Sequence, residues 1–343
     1  MPAKSALIEG LHKIMCTATS TATDARVTNN DYFKRRVLGF KAEIEFENFV
    51  RSKKLTFLEG GSFISKKLDG ALSTRNNFIY VTVSADDPRK YTGIYATIAR
   101  WSEVSELLYV QITDADWGNT TLTIKTTKRS KKTQTTIPLP TYAFYRFRKK
   151  EGVFELHPSQ DFAAVTSGFN APAKTPSVFH LRKREQFNFF SGYEQSILAK
   201  IYATRYMLDV ILRQAQGRQI IDIDGFLDIN GKFTLVEIKE KTPIKKKGTK
   251  DSPNNIDWRY GWDTRRILWY LYLQKHLPVS VLYNVRQITD RTARAFVQWD
   301  SIFLDDFLCG VSWSNVRGGG GGEDTLLAPY LFFVRLEDAL IGL

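Results

Sequence analysis

Phe40, Ile44, Phe46, Phe49 and Val50 recur among charged residues at helical spacing, which predicts a helix over Phe33 to Lys54. From Leu55 to about Leu156 the period shortens. Phe78 to Val83 (FIYVTV), Leu107 to Ile112 and Thr121 to Ile124 are rich in β-branched and aromatic residues and read as strands. Asp86-Asp87-Pro88 and Trp117-Gly118-Asn119 are turn signals between them. Ala171 to Pro176 reads as part of a linker. Gly192 to Gln214 is a second helix, with Ile197, Ile201, Leu208 and Ile211 on one face and Gly217 as its stop. Two strands follow, Gln219 to Ile229 and Lys232 to Lys239, joined at Asn230-Gly231. A polar loop spans Glu240 to Asp257. Asp263 to His276 then reads as a helix ended by Pro278, and Val279 to Val285 as a buried strand. The first 30 residues, rich in Thr, Ala and Ser, are expected to be partly disordered. The five glycines from Gly318 to Gly322 are expected to form a flexible loop. The fold class expected is α/β. A strand-rich mixed α+β domain over 1–185 precedes a domain over 186–343 with a mixed sheet flanked by helices.

The composition narrows the chemistry. Of 343 residues, 49 are Lys or Arg and 36 are Asp or Glu, a net charge of +13 that points to a polyanionic partner. Two cysteines, Cys16 and Cys309, exclude a disulfide framework and a four-cysteine zinc site. His12, His157, His180 and His276 are scattered, which argues against a histidine-rich metal site. No apolar run approaches the ~20 residues of a membrane span, and MPAKSALIEGLHKIMC lacks the apolar core of a signal peptide. A cytoplasmic protein without a membrane partner is expected.

The informative segment is IDIDGFLDINGKFTLVEIKEK, Ile221 to Lys241. Asn-Gly favours a two-residue type I′ turn. If Ile229 pairs with Lys232, paired positions sum to 461. Asp224 then lies opposite Glu237, and Asp222 opposite Lys239, about 4.5–5.5 Å apart at Cβ. Alternation gathers three carboxylates and a lysine on one face, with Ile221, Ile223, Val236 and Ile238 on the other. Opposed carboxylates repel unless a cation lies between them, and oxygen ligands with room for water suit Mg²⁺. A lysine beside such a site can orient a water or offset charge developing on a phosphate. Asp228 falls opposite Phe233, roughly 13 Å along the strand from Glu237, and reads as a solvated residue near the turn.

Asp224 followed by Glu237-Ile238-Lys239 resembles the motif of the PD-(D/E)xK nuclease superfamily, with Ile223 in place of the proline. The family core is helix, three-stranded meander, helix, strand, and Gly192 to about Val285 fits it with the first strand unclear. The resemblance implies a Mg²⁺-dependent endonuclease acting on double-stranded DNA, of type II restriction-endonuclease type. Asp224 and Glu237 would be the metal ligands, Lys239 would assist the attacking water, and a homodimer would cut both strands. The family often carries a glutamate on its first core helix. Glu194, on the apolar face of the second helix, is the preferred candidate because it needs less chain between helix and hairpin. Glu43 is the rival. It shares a face with Phe46 and Val50, would make Leu55 to Ile64 the first strand, and would turn Leu68 to Gln186 largely into an insertion.

Three basic stretches suit DNA. KTTKRSKK carries Lys128, Arg129, Lys131 and Lys132. YAFYRFRKK interleaves aromatics with Arg146 and Arg148. The loop after the ExK strand holds Lys245, Lys246 and Lys247. Gly93-Ile94-Tyr95 lacks the second half of a GIY-YIG motif, and no GxxxxGK[ST] phosphate loop is present. Two other readings stay open: a structure-specific nuclease of repair, recombination or mobile elements, and a DNA-binding protein without catalysis.

Overall fold

The computed structural model describes residues 2–17, 30–65, 77–113, 121–128, 131–138, 140–165, 188–212, 220–245, 258–290, 292–317 and 324–341. The linker expected at Ala171 to Pro176, the glycine run, Lys246, Lys247 and Arg129 lie outside these. The chain forms two compact units, each assembled from two stretches: residues 1–37 with 61–222, and residues 38–60 with 223–343. The sequential split expected at residue 185 is therefore replaced by an insertion. The unit built on 38–60 is interrupted after Gly60 and resumes at Ile223.

The chain opens with α1 (Lys4–Thr17), α2 (Asn30–Ser52), β1 (Thr56–Glu59) and β2 (Ser62–Ser65). Leu7 and Leu11 of α1 are fully buried, so part of the stretch expected to be disordered is ordered by burial. In the first unit, β2 and β3 (Phe78–Ser84) are followed by α3 (Thr92–Ala99), β4 (Val104–Thr113), the ribbon of β5 (Thr121–Lys128) and β6 (Lys131–Pro138), and β7 (Thr141–Arg148) with β8 (Val153–Leu156). Then come α4 (Phe162–Val165), α5 (Gln195–Arg205) and β9 (Ile220–Asp222). The six-stranded sheet runs β8-β7-β4-β3-β2-β9. FIYVTV is buried on both faces because β3 is interior, parallel to β4 and antiparallel to β2. Ala203 of α5 and Met207 beyond it pack on Ile64, Ile79, Val81 and Leu108.

The second unit takes α2 from Leu38 onward, β1, and then β10 (Gly225–Ile229), β11 (Lys232–Lys241), β12 (Ile244–Lys245), β13 (Trp258–Asp263), α6 (Thr264–His276) and β14 (Ser280–Ile288). It ends with β15 (Phe296–Phe303), α7 (Leu304–Gly310), β16 (Ser312–Arg317), β17 (Asp324–Pro329), β18 (Val334–Arg335) and α8 (Leu336–Ile341). The main sheet is mixed, in the order β1-β10-β11-β14-β15-β18, with β11 and β14 parallel across the α6 crossover. A smaller sheet runs β12-β13-β17-β16. Ala42, Phe46 and Val50 of α2 share one core with Phe57, Leu227, Ile229, Val236, Ile238 and Trp299. Phe46 sits edge-on to Phe57 and to Trp299, at 5.5 and 5.4 Å between centroids.

The missing first strand is therefore β1, reached directly from α2. Apart from β12 and β13, which belong to the smaller sheet, the order within this unit is α2-β1-β10-β11-α6-β14, a helix, a three-stranded antiparallel meander, a helix and a strand. Glu194 does not lie on its leading helix. It is the exposed N-cap residue of α5, in the other unit, whereas Glu43 lies on α2. The shorter connection is not the one the chain uses, because residues 61–222, the larger stretch of the first unit, lie between the first and second strands of the meander.

Candidate active site

The β10–β11 turn follows the expected register. Ile229 pairs with Lys232, Asp228 with Phe233 and Gly225 with Val236. Asn230 and Gly231 have φ of 54° and 82°, the positive pair a type I′ turn requires. Asp228 accepts a hydrogen bond from the Gly231 amide at 2.8 Å and belongs to the turn. At Gly225 the chain passes so close to β1 that a Cβ would lie 2.4 Å from the Phe57 ring and 2.8 Å from the Leu58 carbonyl, so only glycine fits.

The ladder stops at Gly225, one residue short of Asp224. Asp224 extends it through its side chain, accepting the Ile238 amide on Oδ2 at 2.7 Å. This holds its carboxylate beside that of Glu237. Asp222, expected on the same face, is elsewhere: Gln219 to Ile229 is not one strand, and Asp222 ends β9. There it pairs with Ser62 across the first unit's sheet and accepts the Ser62 hydroxyl at 2.5 Å. The cluster of three acids becomes a pair.

Two cations bridge that pair. Lys239 Nζ lies 2.7 Å from Glu237 Oε1 and 3.7 Å from Asp224 Oδ2. Arg266, in the first turn of α6, places Nη2 at 2.5 Å from Glu237 Oε2 and 3.3 Å from Asp224 Oδ1. The Tyr270 hydroxyl, one turn further along α6, donates to Glu237 Oε2 at 2.7 Å. Asp263 caps this helix, accepting the Arg265 amide at 2.8 Å, and so sets the phase that aims both side chains at β11. Arg266 and Tyr270 were not singled out from the sequence as site residues. Their i,i+4 spacing on a predicted helix was the available signal.

Burial sorts the electrostatics. The Glu237 side chain is fully buried, Asp224 is 15% exposed and Lys239 37%. Burial pushes the Glu237 carboxyl up, but the Arg266 and Lys239 charges outweigh it and hold Glu237 well below the usual carboxylate range. Asp224 goes the other way, raised by burial and by the neighbouring Glu237 charge. Two carboxylates in one site do not ionise equally. Lys239 is disfavoured as a cation by burial, yet Asp224 and Glu237 raise it above its ordinary value. Lys241, next along this face of β11, donates to the Gly261 carbonyl and lies 5.9 Å from the centre of the Tyr283 ring. Burial, then the Lys239 charge, pulls it down to about 8. Trp262 stacks on Tyr283 at 4.4 Å and 13° to form an aromatic floor beneath.

Among the described residues, no group of three or more His, Cys, Asp or Glu side chains could hold a metal ion. The donors at the acid pair are two hard carboxylate oxygen groups, each held by Lys239 and Arg266. Oxygen donors of this kind fit Mg²⁺, which commonly takes one or two carboxylates and fills its shell with water and phosphate oxygens.

The basic stretches are placed unevenly. The β5–β6 register brings Lys128 opposite Lys131, and Thr127 opposite Lys132, at one end of a two-stranded ribbon. Arg146 and Arg148 share Glu155 across the β7–β8 hairpin, at 3.0 and 3.3 Å, so their charge is partly spent within the sheet. Lys245 lies in β12, opposite Trp258. No helix among the described residues is long and apolar enough to cross a membrane.

No family model matches the chain, and no curated protein does. Among solved structures, a Holliday junction resolvase from the hyperthermophilic archaeon Archaeoglobus fulgidus aligns with 34% of this chain and 72% of its own length. The identity is 5% and the TM-score 0.23.

Proposed function

We propose that the protein is a Mg²⁺-dependent endonuclease of the PD-(D/E)xK superfamily that hydrolyses phosphodiester bonds of double-stranded DNA, of restriction-endonuclease type. One observation carries this reading: Asp224, just before β10, converges with Glu237 and Lys239 on one face of β11, inside a unit whose main sheet follows helix, meander, helix, strand. Asp224 and Glu237 would hold the metal, which supplies Lewis-acid stabilisation of the scissile phosphate and a more acidic water. Lys239, partly exposed at the mouth of the site, holds its proton and presents an ammonium to the water or the phosphate. Tyr270 fixes the Glu237 carboxylate.

The first unit, a compact body of its own, would supply recognition, which supports cutting directed by sequence. Lys128, Lys131 and Lys132 on its ribbon, together with Arg129, would contact phosphates. Neutralising them should weaken binding to all sequences and reduce the slope of log affinity against log salt by about 0.9 per lost contact. A homodimer would bring two sites to the two strands. Digestion of a long mapped DNA with Mg²⁺, and with EDTA as control, tests the function. Discrete fragments formed only with metal are expected. Cleavage confined to branched DNA would make the enzyme structure-specific, and no cleavage of any DNA would leave a binding protein.

A further inference from the structure

Arg266 occupies the edge of the acid pair that a divalent cation would need. Its guanidinium spans Asp224 Oδ1 and Glu237 Oε2, while Lys239 spans the other two oxygens. The four side chains sum to zero charge. A divalent cation added without other change would leave two positive charges in a buried cluster, an arrangement that repels itself. The balance is restored if one side chain cation leaves and DNA phosphate enters. Arg266 is the group built to do this. It is 23% exposed, sits in the first turn of its helix on a long side chain, and carries a planar fork that binds phosphate as readily as carboxylate.

Resting on the metal-site reading above, we propose that Arg266 is an internal counter-cation that closes the Asp224–Glu237 pair to divalent metal in DNA-free protein. It transfers to a backbone phosphate when DNA binds, so metal and DNA load together. Metal then enters efficiently only where a phosphate is already seated, which keeps the DNA-free protein poorly loaded. Binding linkage makes the coupling reciprocal: metal tightens DNA as much as DNA tightens metal.

The test titrates Mn²⁺ alone into the full chain and follows the free-ion electron paramagnetic resonance signal. It is repeated with a stoichiometric short duplex. DNA-free Arg266→Gln is expected to bind Mn²⁺ at least about tenfold more tightly than the unmodified protein. Duplex should tighten the unmodified protein by a similar factor and the variant by much less. Arg266→Lys, which keeps the charge but shortens the side chain and removes the planar fork, should fall between, and it decides the matter if the glutamine variant does not fold. Equal or weaker Mn²⁺ binding by the folded variants overturns the counter-cation role and leaves the metal site standing. Asp224→Asn binding Mn²⁺ as tightly as the unmodified protein overturns the metal site itself.

Discussion

Glu237 and Glu240 stand three residues apart on β11, both with buried side chains and both bound by arginine, on opposite faces of the sheet. Glu240 is a single carboxylate with both oxygens engaged. Arg286 donates to Oε2 at 3.0 Å and Arg294 to Oε1, and Arg286 also reaches Glu45 of α2 and lies 5.0 Å from the centre of the Phe296 ring. Arg286 and Glu240 are each 3% exposed. That network ties a helix to a strand, with Glu240 and Arg286 sealed and Arg294 and Glu45 reaching the surface at 22% and 33% exposure. Glu237 instead has a second carboxylate beside it, an ion-pair partner, Lys239, that is 37% exposed, and a neighbour, Asp224, whose proton affinity is raised. A buried charge marks structure when its partners are complete. It marks chemistry when like charges share a site that solvent can reach.

The strongest way to break this contrast is to remove one carboxylate from each face. Glu237→Gln and Asp224→Asn should lose Mg²⁺-dependent cleavage, by more than about 100-fold, with the fold retained by far-UV circular dichroism. Asp228→Ala, which affects only the turn, should cleave normally. Glu240→Gln should do the reverse. It leaves Arg286 and Arg294 short of a partner, and losing one member of a buried pair costs about 3–5 kcal/mol of stability. Denaturant midpoints should fall while cleavage per folded molecule persists. Dead Glu240→Gln that remains fully stable would invert the assignment of the two faces.

Lys239→Met should still bind DNA and metal but lose the chemical step in single-turnover cleavage. Unchanged turnover would reduce Lys239 to an ion-pair partner. Tyr270→Phe keeps the ring and removes the hydrogen bond to Glu237, so a loss of about tenfold or somewhat more in activity is expected. A variant as active as the parent would show that Arg266 and Lys239 suffice to position Glu237.

The smallest effect concerns Lys241. Its folded pKa of about 8 lies below the ordinary lysine value, so the unfolded chain binds more protons between the two. Stability should therefore rise with pH from about 8 towards about 10.4. Below pH 8 the buried cation is a cost. Lys241→Met should raise the denaturation midpoint at neutral pH and flatten the rise. A rise of equal slope in the variant would assign it to other groups.

The sequence by itself determined whatever depends on neighbours along the chain. The turn at Asn230-Gly231, the pairing of Ile229 with Lys232, the shared face of Glu237 and Lys239 and the helix that Asp263 opens all follow from local dihedral preference and alternation. Tertiary structure decided what is joined across distance. Asp222 and Asp224 look equivalent in IDIDG, yet one ends β9 and the other is anchored by the Ile238 amide. The leading helix proved to be α2 rather than α5, and Arg266 entered the site from α6. Periodicity reports which face of an element is apolar. It carries no record of which distant strand completes a sheet, because that choice is made by packing the whole core at once.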